Sequence, residues 1–172
     1  MRLFLAIRFS DDMKAAIDST VADLNQQGVT GNYTRPENLH ITLAFIGEST
    51  QVRKISEAVK QAAFTPFTVQ LWRGGHFRDL YWVGLKHSDA LNQYVQNLRR
   101  ALDDAGIAYD RKKFRPHITI VRRARAANED SPITLHIPEA SMNVTRVSLM
   151  KSERIRGKLT YTEVAGFPAK EE

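Results

Sequence analysis

Apolar positions recur along this chain in two rhythms, and the rhythm changes mark the elements. "RLFLAIRF" (2–9) is an almost continuous apolar run and predicts a strand buried on both faces. Ser10 then stands as a helix N-cap, with Asp11 and Asp12 in a first turn where the helix dipole favours them. Met13, Ile17, Val21 and Leu24 follow at helical spacing, and Gly28 supplies a stop. Residues 28–38 are polar, contain Pro36 and predict a loop. "LHITLAFIG" (39–47) predicts the next strand, and Val52, Ile55 and Val59 a second helix after Ser49. "FTVQLW" (67–72) and "LYWVGL" (80–85) predict a hairpin across "RGGHFRD". Ser88 caps a third helix with Leu91, Tyr94, Leu98 and Leu102 on one face, ended by Gly106. "RPHITIVRR" (115–123), "ITLHI" (133–137), "NVTRVSLMK" (143–151) and "LTYTEVAGF" (159–167) are all strand-like.

Strands and helices are thus mixed, and one phrase recurs. His-Ile-Thr stands at His40-Ile41-Thr42 and again at His117-Ile118-Thr119, a little under half the chain apart. Each copy opens a predicted strand after a helix and a loop. This predicts an α+β fold of two lobes with a weak internal duplication, each lobe giving one such strand.

Composition narrows the class. The chain has 172 residues, 42% of them hydrophobic, which suits a single domain or two small lobes sharing an interface. It contains no cysteine, so disulfides and thiolate chemistry are excluded. No apolar stretch approaches the roughly 20 residues of a membrane helix, and "MRLFLAIRFSDDMKAAI" lacks the pattern of a signal peptide. A cytoplasmic protein with no membrane association is expected. The net charge is +6. Seven basic residues and no acidic one lie between Arg111 and Arg125, with the second His-Ile-Thr in their midst. Such a run is often only a solvated face, but it also suits a polyanionic partner.

Side chains two apart on a strand share a face. Alternation therefore places Ile41, Leu43 and Phe45 toward one core, and His40, Thr42 and Ala44 on the other face. Likewise Ile118 and Ile120 point inward, while His117 and Thr119 share the other face. If the two faces oppose each other, one site holds two imidazoles and two hydroxyls. Two imidazoles can act as acid and base in one reaction near neutrality, and threonine hydroxyls can donate to phosphate oxygens. These are the parts that cleavage of an activated phosphate ester requires. One His-x-Thr on a strand is unremarkable; two matching copies carry the signal.

"NLHITLAFIGE" and "FRPHITIVRR" resemble the paired H-x-T-x motifs of the two-histidine (2H) phosphoesterases, in particular the bacterial and archaeal RNA 2′,3′-cyclic phosphodiesterases, also called 2′-5′ RNA ligases. "RLFLAI", "YWVGL" and "LMKSERIRGKLTYTEV" stand in the order that family shows, so the resemblance spans nearly the whole chain. It implies one bilobal 2H domain over residues 1–172, with two pseudo-symmetric lobes, each an antiparallel-rich sheet with helices, and an active-site cleft between them. It implies hydrolysis of RNA 2′,3′-cyclic phosphate ends to 2′-phosphomonoesters, with His40 as proton donor and His117 as proton acceptor. Thr42 and Thr119 would hold the phosphate. So would Arg122, although strict alternation favours Arg123. The expected partner is an RNA or oligonucleotide with a cyclic-phosphate end, no cofactor or metal is expected, and the chain is expected to be a monomer. The alternatives are 2′-5′ ligation of cyclic-phosphate and 5′-hydroxyl ends, and a module that grips RNA ends without turnover.

The remaining histidines have plainer expectations. His76 lies in a predicted turn, His87 precedes a helix cap, and His136 faces away from Ile133, Leu135 and Ile137. None has metal-ligand spacing. Trp72, Phe77, Tyr81 and Trp82 cluster at the hairpin, mostly as core, with one of them a candidate for stacking on a base.

Overall fold

The computed structural model describes residues 1–127 and 132–171. Nine strands and three α-helices follow in the order β1 (Arg2–Arg8), α1 (Asp11–Gln26), β2 (Val29–Tyr33), β3 (His40–Glu48), α2 (Val52–Gln61), β4 (Phe67–Phe77), β5 (Leu80–Leu85), α3 (Asp89–Asp104), β6 (His117–Ala126), β7 (Ser141–Val144), β8 (Arg146–Ile155) and β9 (Lys158–Pro168), among the described residues. They build two antiparallel sheets, ordered β3-β1-β8-β9 and β2-β6-β5-β4-β7. The predicted α+β duplication is present. A strand, a helix and a His-Ile-Thr strand recur as β1, α1, β3 and as β5, α3, β6, and in each sheet the histidine strand lies beside the strand that opened its unit.

Local chemistry accounts for most element boundaries. The Ser10 hydroxyl accepts from Met13 N at 3.3 Å, and Ser88 does the same for Leu91 N at 3.1 Å, so both long helices start where the sequence places their caps. β1 is buried from Leu3 to Ile7 on both faces, as its unbroken apolar run requires. Leu3, Leu5 and Ile7 join one buried cluster that also takes in Leu98 of α3, Ile120 of β6 and Leu149 of β8. Phe4 and Ala6 point the other way, into a small cluster with Met150.

Three expectations need correction. The polar segment 28–38 holds β2 and a short 3-10 turn, Pro36–Asn38, rather than a loop. β2 escapes notice because it pairs at the sheet's edge with β6 and exposes Thr30, Gly31 and Asn32. The hairpin strands run on through "RGGHF", leaving only Arg78 and Asp79 as the turn, with Arg78 at φ 56°. Segment 133–137 alternates as expected but joins no sheet. Ile133, Leu135 and Ile137 pack on the main cluster, while the backbone bonds to α1. Gln27 accepts from Thr134 N at 2.9 Å and donates to Thr134 O at 2.7 Å, and Thr20 Oγ1 donates to His136 O at 2.7 Å. Extended alternation tells which side is buried, not which element supplies the hydrogen bonds.

Candidate active site

Both histidine strands lie with one face in the core and the other toward a cleft of about 740 Å³ between the sheets. His40, Thr42, His117, Thr119 and Arg122 all line it. Arg35, Arg115, Arg154 and Lys158 add positive charge to the walls, and among the described residues no carboxylate lines it.

On β3, His40 pairs across to Arg8 and Thr42 to Ala6, which puts both on the face of the Phe4 cluster. The next pairs are Leu5 with Ala44 and Phe4 with Phe45. Leu43 is therefore an extra residue, a β-bulge. Beyond it the alternation inverts: Ala44 is fully buried in the main core and Phe45 stands on the cleft side with Phe4, contrary to the expectation that Phe45 continues the Ile41 and Leu43 face. The second strand repeats the device. Gly84 pairs with His117, Trp82 with Thr119, and Tyr81 with Val121, leaving Ile120 as the extra residue. Val121 enters the core at 0% exposure and Arg122 emerges into the cleft. Arg123 has φ 53° and does not line the cleft. Strict alternation pointed to Arg123; the bulge is why Arg122 stands there instead.

The two imidazoles have unlike surroundings. His40 is half-buried, with the Phe4 ring at 5.0 Å and the edge of Tyr161 at 5.2 Å. Its Nδ1 lies 2.7 Å from the Asn38 carbonyl oxygen, which can only accept, so Nδ1 carries a proton. Nε2 is then the atom that gains or loses one, and in the neutral ring it accepts from the Thr42 hydroxyl at 2.9 Å. Desolvation holds His40 below the usual histidine pKa, opposed in part by the Asn38 carbonyl. His117 is exposed, its ring edge-on to Trp82 at 6.2 Å. Tyr161, its phenol raised chiefly by burial, also senses Arg122 and Arg2, so Arg122 approaches the opposite sheet across the cleft.

Several supporting groups escaped the sequence reading. Asn38 is buried, donates from Nδ2 to Leu159 O at 3.0 Å, and offers its own carbonyl to His40. Arg35 also donates to Leu159 O. These bonds tie the histidine's approach to β9, and a backbone carbonyl leaves no mark in a sequence. Arg99 of α3 donates through Nε and Nη2 to the carbonyl of the bulged Leu43, at 3.3 and 3.1 Å. The carbonyl of the bulged Ile120 accepts from Thr34 N at 2.9 Å.

The basic run divides. Arg115 and Arg122 line the cleft, and Lys112 and Lys113 line an adjoining hollow of 470 Å³ with Thr42 and His117. Arg111 is bound to Asp103 at 2.7 Å and lies over Tyr109. His76 stacks on Tyr81 away from the cleft, and His87 and His136 are exposed. Of the hairpin aromatics only Tyr81 is buried; Trp82 is half-buried, and Trp72 and Phe77 are exposed, because they sit on the sheet face opposite the core. Among the described residues no three His, Cys, Asp or Glu side chains gather as a metal-binding group, and no helix is long and apolar enough to cross a membrane.

The family model described as the 2′-5′ RNA ligase superfamily matches residues 11–156. A protein of Thermotoga maritima named RNA 2′,3′-cyclic phosphodiesterase is 30% identical over 132 residues, 71% of this chain and 70% of its own. One of the same name from Escherichia coli is 30% identical over 173 residues, 94% of this chain and 92% of its own. The crystal structure of E. coli LigT complexed with 3′-AMP superimposes with a TM-score of 0.80 at 27% identity, covering 99% of this chain and 98% of that one.

The surroundings of His40 predict its titration. Its folded pKa lies below the usual 6.5, so around and below that pH the unfolded chain binds more protons. The stability His40 contributes is complete above about pH 6.5 and is lost as pH falls through its folded value. Nitrogen-15 NMR should find His40 neutral at neutral pH with its proton on Nδ1, and a midpoint below that of a free histidine. A proton on Nε2, or a midpoint at or above 6.5, would contradict this account of the site.

Proposed function

The chain belongs to the 2′-5′ RNA ligase superfamily, and on that premise we propose that it hydrolyses 2′,3′-cyclic phosphate ends of RNA to 2′-phosphomonoesters. The observation that carries this reading is that both His-Ile-Thr phrases face one cleft whose walls hold five Lys or Arg side chains and, among the described residues, no carboxylate. Relatives named RNA 2′,3′-cyclic phosphodiesterase support the same chemistry.

In the proposed reaction His117 Nε2 or Nδ1 takes a proton from water as its oxygen attacks phosphorus. The bond from phosphorus to the 3′ oxygen breaks, and protonated His40 gives its Nε2 proton to that oxygen. The phosphate stays on the 2′ oxygen. Thr42, Thr119 and Arg122 stabilise charge developing on the non-bridging oxygens. His40 is neutral in the free cleft, so its donor role depends on the substrate: a phosphate anion beside the ring raises its pKa and offsets the desolvation. The two histidines in reverse would join such an end to a 5′-hydroxyl in a 2′-5′ bond, with hydrolysis favoured in water. We take the unit to be the whole chain, one bilobal domain over residues 1–172, acting as a cytoplasmic monomer without metal.

With an oligonucleotide ending in a 2′,3′-cyclic phosphate, His40→Ala and His117→Ala should each lower turnover roughly 10²–10⁴-fold without unfolding the protein. Thr42→Ala, Thr119→Ala and Arg122→Ala should cost less, and Arg123→Ala should cost little. Chromatographic identification of the product isomer, with near wild-type turnover in either histidine variant, would remove the two-histidine assignment. Bound RNA with no turnover in the wild type would favour the binding module.

Turnover should survive exhaustive chelation. Loss on chelation and recovery with one divalent cation would refute the metal-free proposal.

The dependence of rate on pH should be bell-shaped, since one imidazole must be protonated and the other neutral. Its limbs are macroscopic properties of the pair. Phosphate binding favours both imidazolium forms, so the bell for kcat should lie at higher pH than that for kcat/KM. A rate still rising at about pH 9, with no descending limb, would mean that no protonated histidine takes part.

A further inference from the structure

The cleft-side face of the β2-β6-β5-β4-β7 sheet carries aromatic and cationic surface that the phosphate chemistry does not use. Cross-strand pairs arrange it in rows. One row runs His117, Gly84, Trp72, and the next Thr119, Trp82, Gly75. The two glycines leave room that the Trp82 indole occupies: a Cβ at Gly75 would sit 2.8 Å from its ring, and one at Gly84 3.3 Å. Trp82 therefore lies against the backbone of β4 and β5 beside the His117 ring. Trp72 is the next aromatic outward, two strand spacings or about 10 Å from the histidine strand β6. It is 44% exposed, while Val69 and Leu71 on the opposite face of its strand are buried.

Cations surround the exposed rings. The Arg73 guanidinium lies 5.6 Å and the Lys86 ammonium 5.3 Å from the Trp72 ring. At the hairpin tip Arg78 lies 5.4 Å from the ring of Phe77. Among the described residues, Glu139 shares a hollow with Trp72, and Asp79 lies in the turn. Single-stranded nucleic acids are held by this combination, rings for the bases and cations for the backbone.

We infer that Trp82 and Trp72, with Arg73 and Lys86, bind the nucleotides that precede the terminal cyclic phosphate of a single-stranded RNA. This rests on the hydrolase reading and deepens it: the enzyme prefers an RNA chain to a cyclic mononucleotide. The strip begins beside His117, whose ring lies 6.2 Å from that of Trp82, so a strand whose terminal phosphate lies between the histidines passes over Trp82 before reaching Trp72.

The test compares kcat/KM on 2′,3′-cyclic AMP with that on a short single-stranded RNA ending in a 2′,3′-cyclic phosphate. Trp72→Ala should lower the RNA value about ten- to hundredfold, the loss expected for one base stack, and leave the mononucleotide value within about twofold. Equal loss on both substrates, or no loss on RNA, overturns the inference. A second measurement needs no turnover. Fluorescence titration of the two tryptophans with RNA ending in a 3′-phosphate should show quenching, and binding should weaken in Trp72→Ala. In Arg73→Ala/Lys86→Ala the slope of log affinity against log salt should become shallower by about 1.4. A wild type that binds this RNA through Trp72 but hydrolyses neither substrate refutes the hydrolase and leaves the surface standing. A hydrolase whose RNA binding ignores all three side chains refutes the surface.

Discussion

A β-strand can move a side chain to its other face only by breaking alternation, and both histidine strands break it three residues after the histidine. The bulges at Leu43 and Ile120 have the same consequence. The next residue, Ala44 or Val121, goes into the core, and the one after it, Phe45 or Arg122, comes out on the histidine's side. A bulge leaves a carbonyl outside the ladder, and an unpaired buried carbonyl costs about 1–3 kcal/mol. Arg99 meets the carbonyl at Leu43 and the Thr34 amide meets the one at Ile120. The histidine face of each strand thus depends on a donor from another element, α3 in one lobe and the segment after β2 in the other.

The same crossing of elements holds the lobes together. β2 comes from the first half of the chain but pairs with β6 in the second sheet, and β8 and β9 return from the end of the chain to complete the first. One apolar cluster includes residues of both sheets and all three helices. The cleft is therefore bounded by two sheets that share a core, which is a rigid mount for the side chains that face it.

Within that frame the duplicated motif gives two unlike histidines. His40 is enclosed by Phe4 and Tyr161 and oriented by the Asn38 carbonyl, so burial favours its neutral form. His117 lies open beside Trp82. Identical tripeptides thus acquire different surroundings from their neighbours.

The α+β class, the two capped helices, the repeated histidine strands and the face that holds His40, Thr42, His117 and Thr119 are legible in the residues alone. Those follow from periodicity and from capping, which act over a few residues. The rest depends on contacts between distant parts of the chain. Three exposed positions, Gly31 among them, hid β2, and the alternation of 133–137 did not disclose that its hydrogen bonds go to α1. The choice of Arg122 over Arg123, the reversal of Phe45 and the neutral bias of His40 each rest on a register shift or a packing contact made by residues far along the chain. Alternation is a local rule, whereas a bulge is set by the partner strand and by the donor that takes up its freed carbonyl, and neither is written in the segment that bends.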